Sequence, residues 1–108
     1  MVATILDEVL DRIKPGVGLI IRTDGLIEEY NPTNAGNTFD FPQLKKDIGC
    51  NYGEIVYLSK QVIMVCDEEG LLVGKPINPY ATTLYQLKFR VNSLIVGDVV
   101  ICHTKAIK

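Results

Sequence analysis

The sequence predicts an α+β fold: one small domain over residues 1–108, with a mostly antiparallel sheet of about five strands and two to three short helices. Three observations predict it. Apolar runs of strand length sit in pairs joined by turns too short for parallel crossovers. Amphipathic stretches begin at recognisable caps and end at glycines. A chain of 108 residues with 47% hydrophobic and 22% charged residues has the length and composition of a single core.

Taken in order, Thr4 to Ile13 spaces Ile5, Val9 and Ile13 four apart beside Leu6 and Leu10, behind a Thr4 cap and early acids, which makes a short amphipathic helix. Pro15 and Gly16 end it. Residues 17–22 form a strand that Thr23-Asp24-Gly25 turns into a second strand, 26–30. Residues 31–37 form a polar loop. A second helix follows, with Asp40 and Gln43 placed as a capping box, Phe39 and Leu44 as a hydrophobic staple and Gly49 at the stop. Residues 54–58 and 62–66 form a second hairpin, and the second of its runs lacks polar alternation and so reads as a buried strand. After the turn 67–70, residues 71–73 are expected to extend the sheet. Asn78 and Pro79 open a third helix over 78–89. Residues 93–96 are irregular, and 99–103 make the last, central strand.

Composition excludes several functions. A net charge of −2 with scattered basic residues does not suit neutralisation of a phosphate backbone, so no DNA or RNA partner is expected. No apolar run approaches membrane-spanning length and the N-terminal stretch is acidic, so no membrane partner is expected and the localisation reads as cytoplasmic. Cys50, Cys66 and Cys102 read as free thiols of a reducing compartment. They form no Cys-x-x-Cys pair with which the lone His103 would complete a zinc site, so no metal or other cofactor is expected. Cys102 and His103 point to opposite faces of a strand and cannot act as a dyad, and His103 reads as a buried or capping residue. The run Asp67-Glu68-Glu69 reads as a solvated turn. No catalytic residue is assigned, and the protein is expected not to be an enzyme.

The third helix carries the binding expectation. At about 100° per residue, Tyr80, Ala81, Leu84 and Leu87 share the side that packs on the sheet, and Thr82, Tyr85 and Phe89 share the opposite one. That second stripe either lies under the first helix or meets a ligand, a partner or a second copy of the chain. Lys75, Lys88 and Arg90 lie near it in sequence, and the helix start after Asn78 offers free N–H groups. Such cations, aromatic faces and a helix N-terminus are the parts that hold a phosphorylated, base-containing molecule. The candidate ligand-binding residues are therefore Lys75, Asn78, Tyr80, Thr82, Tyr85 and Arg90. A homo-oligomer, most simply a dimer, is expected through the third helix.

The segments Tyr52-Gly53-Glu54-Ile55-Val56, Val62 to Gly70, Gly74-Lys75-Pro76-Ile77-Asn78, Ala81-Thr82-Thr83-Leu84-Tyr85 and Ile95-Val96-Gly97-Asp98 together resemble a family of short domains of unknown function. That family is common in bacteriophages and bacterial mobile elements. The resemblance spans roughly residues 17–103 and departs from the family pattern at the N-terminal helix and at Cys50-Asn51, where a glycine-rich pair is usual. It implies no activity. A phage origin would imply a counter-defence protein in the host cytoplasm. The leading expectation is a non-enzymatic sponge that sequesters a nucleotide-derived immune signal, of the cyclic oligonucleotide or cyclic ADP-ribose type. The alternative is a protein-binding inhibitor of a host defence enzyme that uses the second stripe or an edge strand.

Overall fold

The computed structural model describes residues 4–31 and 38–106. The elements follow the order α1 (Ile5–Arg12), β1 (Gly18–Ile21), β2 (Ile27–Tyr30), α2 (Phe41–Ile48), β3 (Gly53–Tyr57), β4 (Val62–Asp67), α3 (Pro79–Phe89) and β5 (Val99–His103), which runs into a 3-10 turn at Thr104–Ala106. The five strands make one sheet in the spatial order β2-β1-β5-β4-β3, and every neighbouring pair is antiparallel. The last strand in sequence inserts between the two hairpins. The α+β domain expected from the sequence is therefore the observed one, with β5 central as predicted. The polar loop expected at 31–37 lies almost wholly outside the described residues.

Alternation along the strands divides the core in two. Val62, Met64 and Cys66 of β4 join Leu19, Ile21, Val56, Val99 and Ile101 under α1 and α3. Ile63 and Val65 join Ile20, Val100 and Cys102 on the other face, under Phe39, Leu44 and Ile48. The sheet is thus a filling between α1 and α3 on one side and α2 on the other. Gly18 sits where strands come closest: a Cβ there would stand 2.8 Å from Ile101 O and 3.0 Å from Tyr30 O.

Local chemistry accounts for the helix ends. Thr4 accepts from Asp7 N–H while the Asp7 carboxylate accepts from Thr4 N–H, a complete capping box. At α2 the staple is present, since Phe39 and Leu44 are both fully buried in one cluster. The predicted cap bond is not: Asp40 makes no side-chain cap hydrogen bond, and Gln43 instead bonds Tyr30, whose hydroxyl also donates to Asp47. Gly49 ends the helix in the left-handed conformation.

One expected element is absent. Residues 71–73 do not extend the sheet but continue the turn, with Val73 N–H donating to Glu69 O, Gly74 N–H to Leu71 O and Lys75 N–H to Gly70 O. These local bonds use the main-chain groups a strand would have offered. Leu71, Leu72 and Val73 are left 71%, 85% and 65% exposed.

Candidate functional site

The expected ligand set has to be read against what each side chain already does. Asn78 is fully buried. Its Oδ1 accepts from Ala81 N–H at 3.1 Å, and its Nδ2 donates to Ile21 O and Gly97 O, both at 3.0 Å. One amide thus caps α3 and ties it to β1 and to the approach to β5. Thr82, expected on an outward stripe, is buried instead. Its hydroxyl donates to Ile95 O at 3.1 Å and accepts from Ile95 N–H at 2.9 Å, because the chain after α3 folds back over that side of the helix.

Lys75 likewise points inward. Its ammonium donates to Asp67 at 2.7 Å, to Gly49 O at 2.8 Å and to Ile48 O at 3.1 Å. It neutralises a carboxylate whose side chain is 4% exposed and satisfies carbonyls at the C-terminal end of α2. Asp67 also accepts from Glu69 N–H. A second ion pair, Arg22 to Asp98 at 2.9 Å, is more open to solvent, and Asp98 also accepts from Thr23 N–H.

The remaining three candidates are dispersed. Tyr80 lines a shallow depression of about 380 Å³ with Thr23, Asp24, Gly25, Pro79 and Thr83. Tyr85 lines a different groove, and Lys75 borders a third depression. Arg90 is exposed at the far end of α3, where its N–H donates to Gln86 O. Ten residues of helix, roughly 15 Å, separate it from Tyr80. The structure does not bring the six residues into one pocket.

Sequence reasoning offered an edge strand as a binding surface without identifying which strand it is; the structure shows that β3 is such an edge. Leu58 N–H donates to Val62 O at one end of the β3–β4 pair, and Glu68 N–H donates to Tyr52 O at the other. Antiparallel alternation then directs the main-chain groups of Glu54 and Val56 toward β4 and those of Gly53, Ile55 and Tyr57 outward. No described strand pairs with that side. Beside it runs a groove of about 440 Å³ lined by Glu54, Ile55, Val56, Tyr57, Tyr85 and Phe89. The Tyr85 and Phe89 rings lie 4.7 Å apart, and Phe89, Ile55 and Tyr57 are all substantially exposed. The second stripe of α3 therefore splits: Thr82 is internal, whereas Tyr85 packs partly on the core and with Phe89 walls the groove. Only the strand register could have shown that β3 faces these rings.

The other edge is chemically different. Strand β2 reads Ile27-Glu28-Glu29-Tyr30, with both carboxylates exposed, a composition that discourages an added strand.

Chemistry at the thiols is muted. Burial pushes the Cys66 and Cys102 thiols up to about 12, with the Glu54 carboxylate adding to the effect at Cys66, and burial also raises Cys50. All three stay protonated and weakly nucleophilic at neutral pH. His103 is buried, and its Nδ1 accepts from Lys105 N–H at 3.1 Å. No cluster of three metal-ligating side chains occurs among the described residues, and none of the described helices is long and apolar enough to cross a membrane.

The model of a family described as a domain of unknown function, DUF3846, matches residues 18–107. The chain belongs to this family. No curated protein and no solved structure matches it. The segments by which the sequence resembles its family fall largely on the polar bonds just described: Asp67, Lys75, Asn78, Thr82 and Ile95 stitch the turn after β4, the start of α3 and the approach to β5 into one girdle, and Asp98 ties that approach to the β1–β2 turn. Gly70 and Gly97 fit between these parts, since a Cβ would stand 2.6 Å from Val96 Cγ2 at the first and 2.8 Å from Lys75 Cδ at the second.

Proposed function

We propose that this protein is a non-catalytic binding protein that engages a protein partner at the β3 edge and the Tyr85–Phe89 groove. The observation that carries the reading is the coincidence, on one side of the molecule, of an unpaired strand edge with exposed Ile55 and Tyr57 and of an aromatic-walled groove. Main-chain groups of an added strand would supply affinity there and the groove would supply selectivity. A phage-type inhibitor of a host defence enzyme, the alternative to a sponge under a phage origin, would work through such a surface without any catalytic group.

A nucleotide sponge is the second reading, and what favours it is the Tyr80 depression beside the α3 N-terminus. It draws less support, because Asp24 borders that depression and would repel a phosphate, while Lys75 is committed to Asp67. One experiment separates the two. Tagged wild type should recover a stoichiometric protein from a bacterial lysate that Tyr57→Lys/Phe89→Glu does not. Calorimetry should show no heat with cyclic oligonucleotides or cyclic ADP-ribose isomers. A strong heat with one of those signals, together with equal recovery by the double variant, would replace the protein-binding reading with the sponge.

A further inference from the structure

Glu54 occupies a singular position on the edge strand. It borders both the aromatic groove and a neighbouring depression of about 170 Å³ lined by Cys66, Asp67, Glu68, Leu71, Leu94, Ile95 and Val96. Asp67 is neutralised there by Lys75, whereas Glu54 and Glu68 make no ion pair with a described residue and are exposed. Along β3 the surface therefore alternates between apolar walls, at Tyr85 and Phe89 and at Leu71 and Leu94, and unneutralised negative charge between them.

Resting on the protein-binding reading above, we infer that the occupant of the β3 edge is an extended, basic segment of a partner protein, in which a Lys or Arg and an apolar or aromatic residue stand two positions apart. Its main chain pairs with the outward N–H and C=O groups of Ile55 and Tyr57. On the face toward α3, an apolar side chain enters the Tyr85–Phe89 groove and a cation meets Glu54 and Glu68. Side chains two positions apart on a strand share a face, so one added strand meets both requirements.

Charge decides against a second copy as the occupant. In antiparallel self-pairing centred on Ile55, the two Glu54 side chains fall on the same face as diagonal neighbours and repel, and each copy brings further exposed acids in place of a cation. A basic strand turns that repulsion into attraction and gains association rate from a chain of net charge −2.

The test uses synthetic peptides and the whole protein. A short strand-forming peptide in which each lysine lies two residues from a valine or tyrosine should bind wild type and slow hydrogen exchange at the Ile55 and Tyr57 amides. Methylating alternate peptide nitrogens should abolish binding, because the ladder cannot then form. Glu54→Lys, at an exposed position, should weaken the lysine peptide by about tenfold at low salt and strengthen the matching glutamate peptide. Binding that protects the β3 amides but ignores charge would overturn the basic partner and leave the docking edge standing. Binding that protects no β3 amide would overturn both, and a wild-type dimer with β3 already protected would assign the edge to a second copy.

Discussion

Asn78→Ala is expected to lower the unfolding free energy by about 3 kcal/mol, the sum of a lost helix cap and two buried carbonyls left without a donor. The amide is fully buried, and the carbonyls it serves, Ile21 O and Gly97 O, belong to parts of the chain far apart in sequence. A small domain has about 5–15 kcal/mol in total, so the loss is a large fraction of what holds it together. Asn78→Asp separates the two contributions. It keeps an acceptor for Ala81 N–H but points a carboxylate at two carbonyl oxygens, so at neutral pH it should be worse than alanine. Its deficit should shrink as pH falls, because burial disfavours the charged form and a protonated carboxyl can donate to one carbonyl. Urea melts across pH check both. A loss for Asn78→Ala no larger than that of Thr83→Ala, an exposed residue of α3, would show that the bonds carry little net energy.

Lys75→Met should cost about 3 kcal/mol or more, since removing one member of a buried ion pair strands the other. The stranded group is Asp67, and Ile48 O and Gly49 O lose a donor as well. The double variant Asp67→Asn/Lys75→Met should be more stable than the sum of the single losses predicts, with a coupling of about 1–3 kcal/mol in the cycle. Arg22→Met provides the contrast. Its pair with Asp98 is about a third exposed on the arginine side, so solvent already screens it and the loss should be about 1 kcal/mol or less. Equal losses for Lys75→Met and Arg22→Met, measured by urea unfolding, would contradict the girdle described here.

Much of the fold was legible from local signals, though not all of it: the capping box read at Asp40 and Gln43 does not form, because Gln43 turns to Tyr30. Thr4 with Asp7, Asn78 with Pro79, the Thr23-Asp24-Gly25 turn and Gly49 each act within a few residues, and each appears as expected. The sheet at 71–73 was misread because Leu71-Leu72-Val73 has strand composition, whereas the turn bonds that claim its backbone involve Glu69, Gly70 and Lys75. The site was less legible for the same reason on a larger scale. Lys75 looks like a surface cation until α2 brings its C-terminal carbonyls and β4 brings Asp67. Thr82 looks outward until residues 93–96 fold back over it. Of the aromatic stripe, Tyr85 and Phe89 do lie together, but their partner β3 is set by register with β4, a non-local choice that helical periodicity does not encode.

Residue-resolved hydrogen exchange on the free protein tests the central claim most directly, because a partner can dock only on an edge that is open. The Ile55 and Tyr57 amides should exchange rapidly, and those of Glu54 and Val56, which point toward β4, should be among the slower ones of the same strand. Uniformly slow exchange from Gly53 to Tyr57 would mean the edge is already covered and would contradict the proposed binding surface.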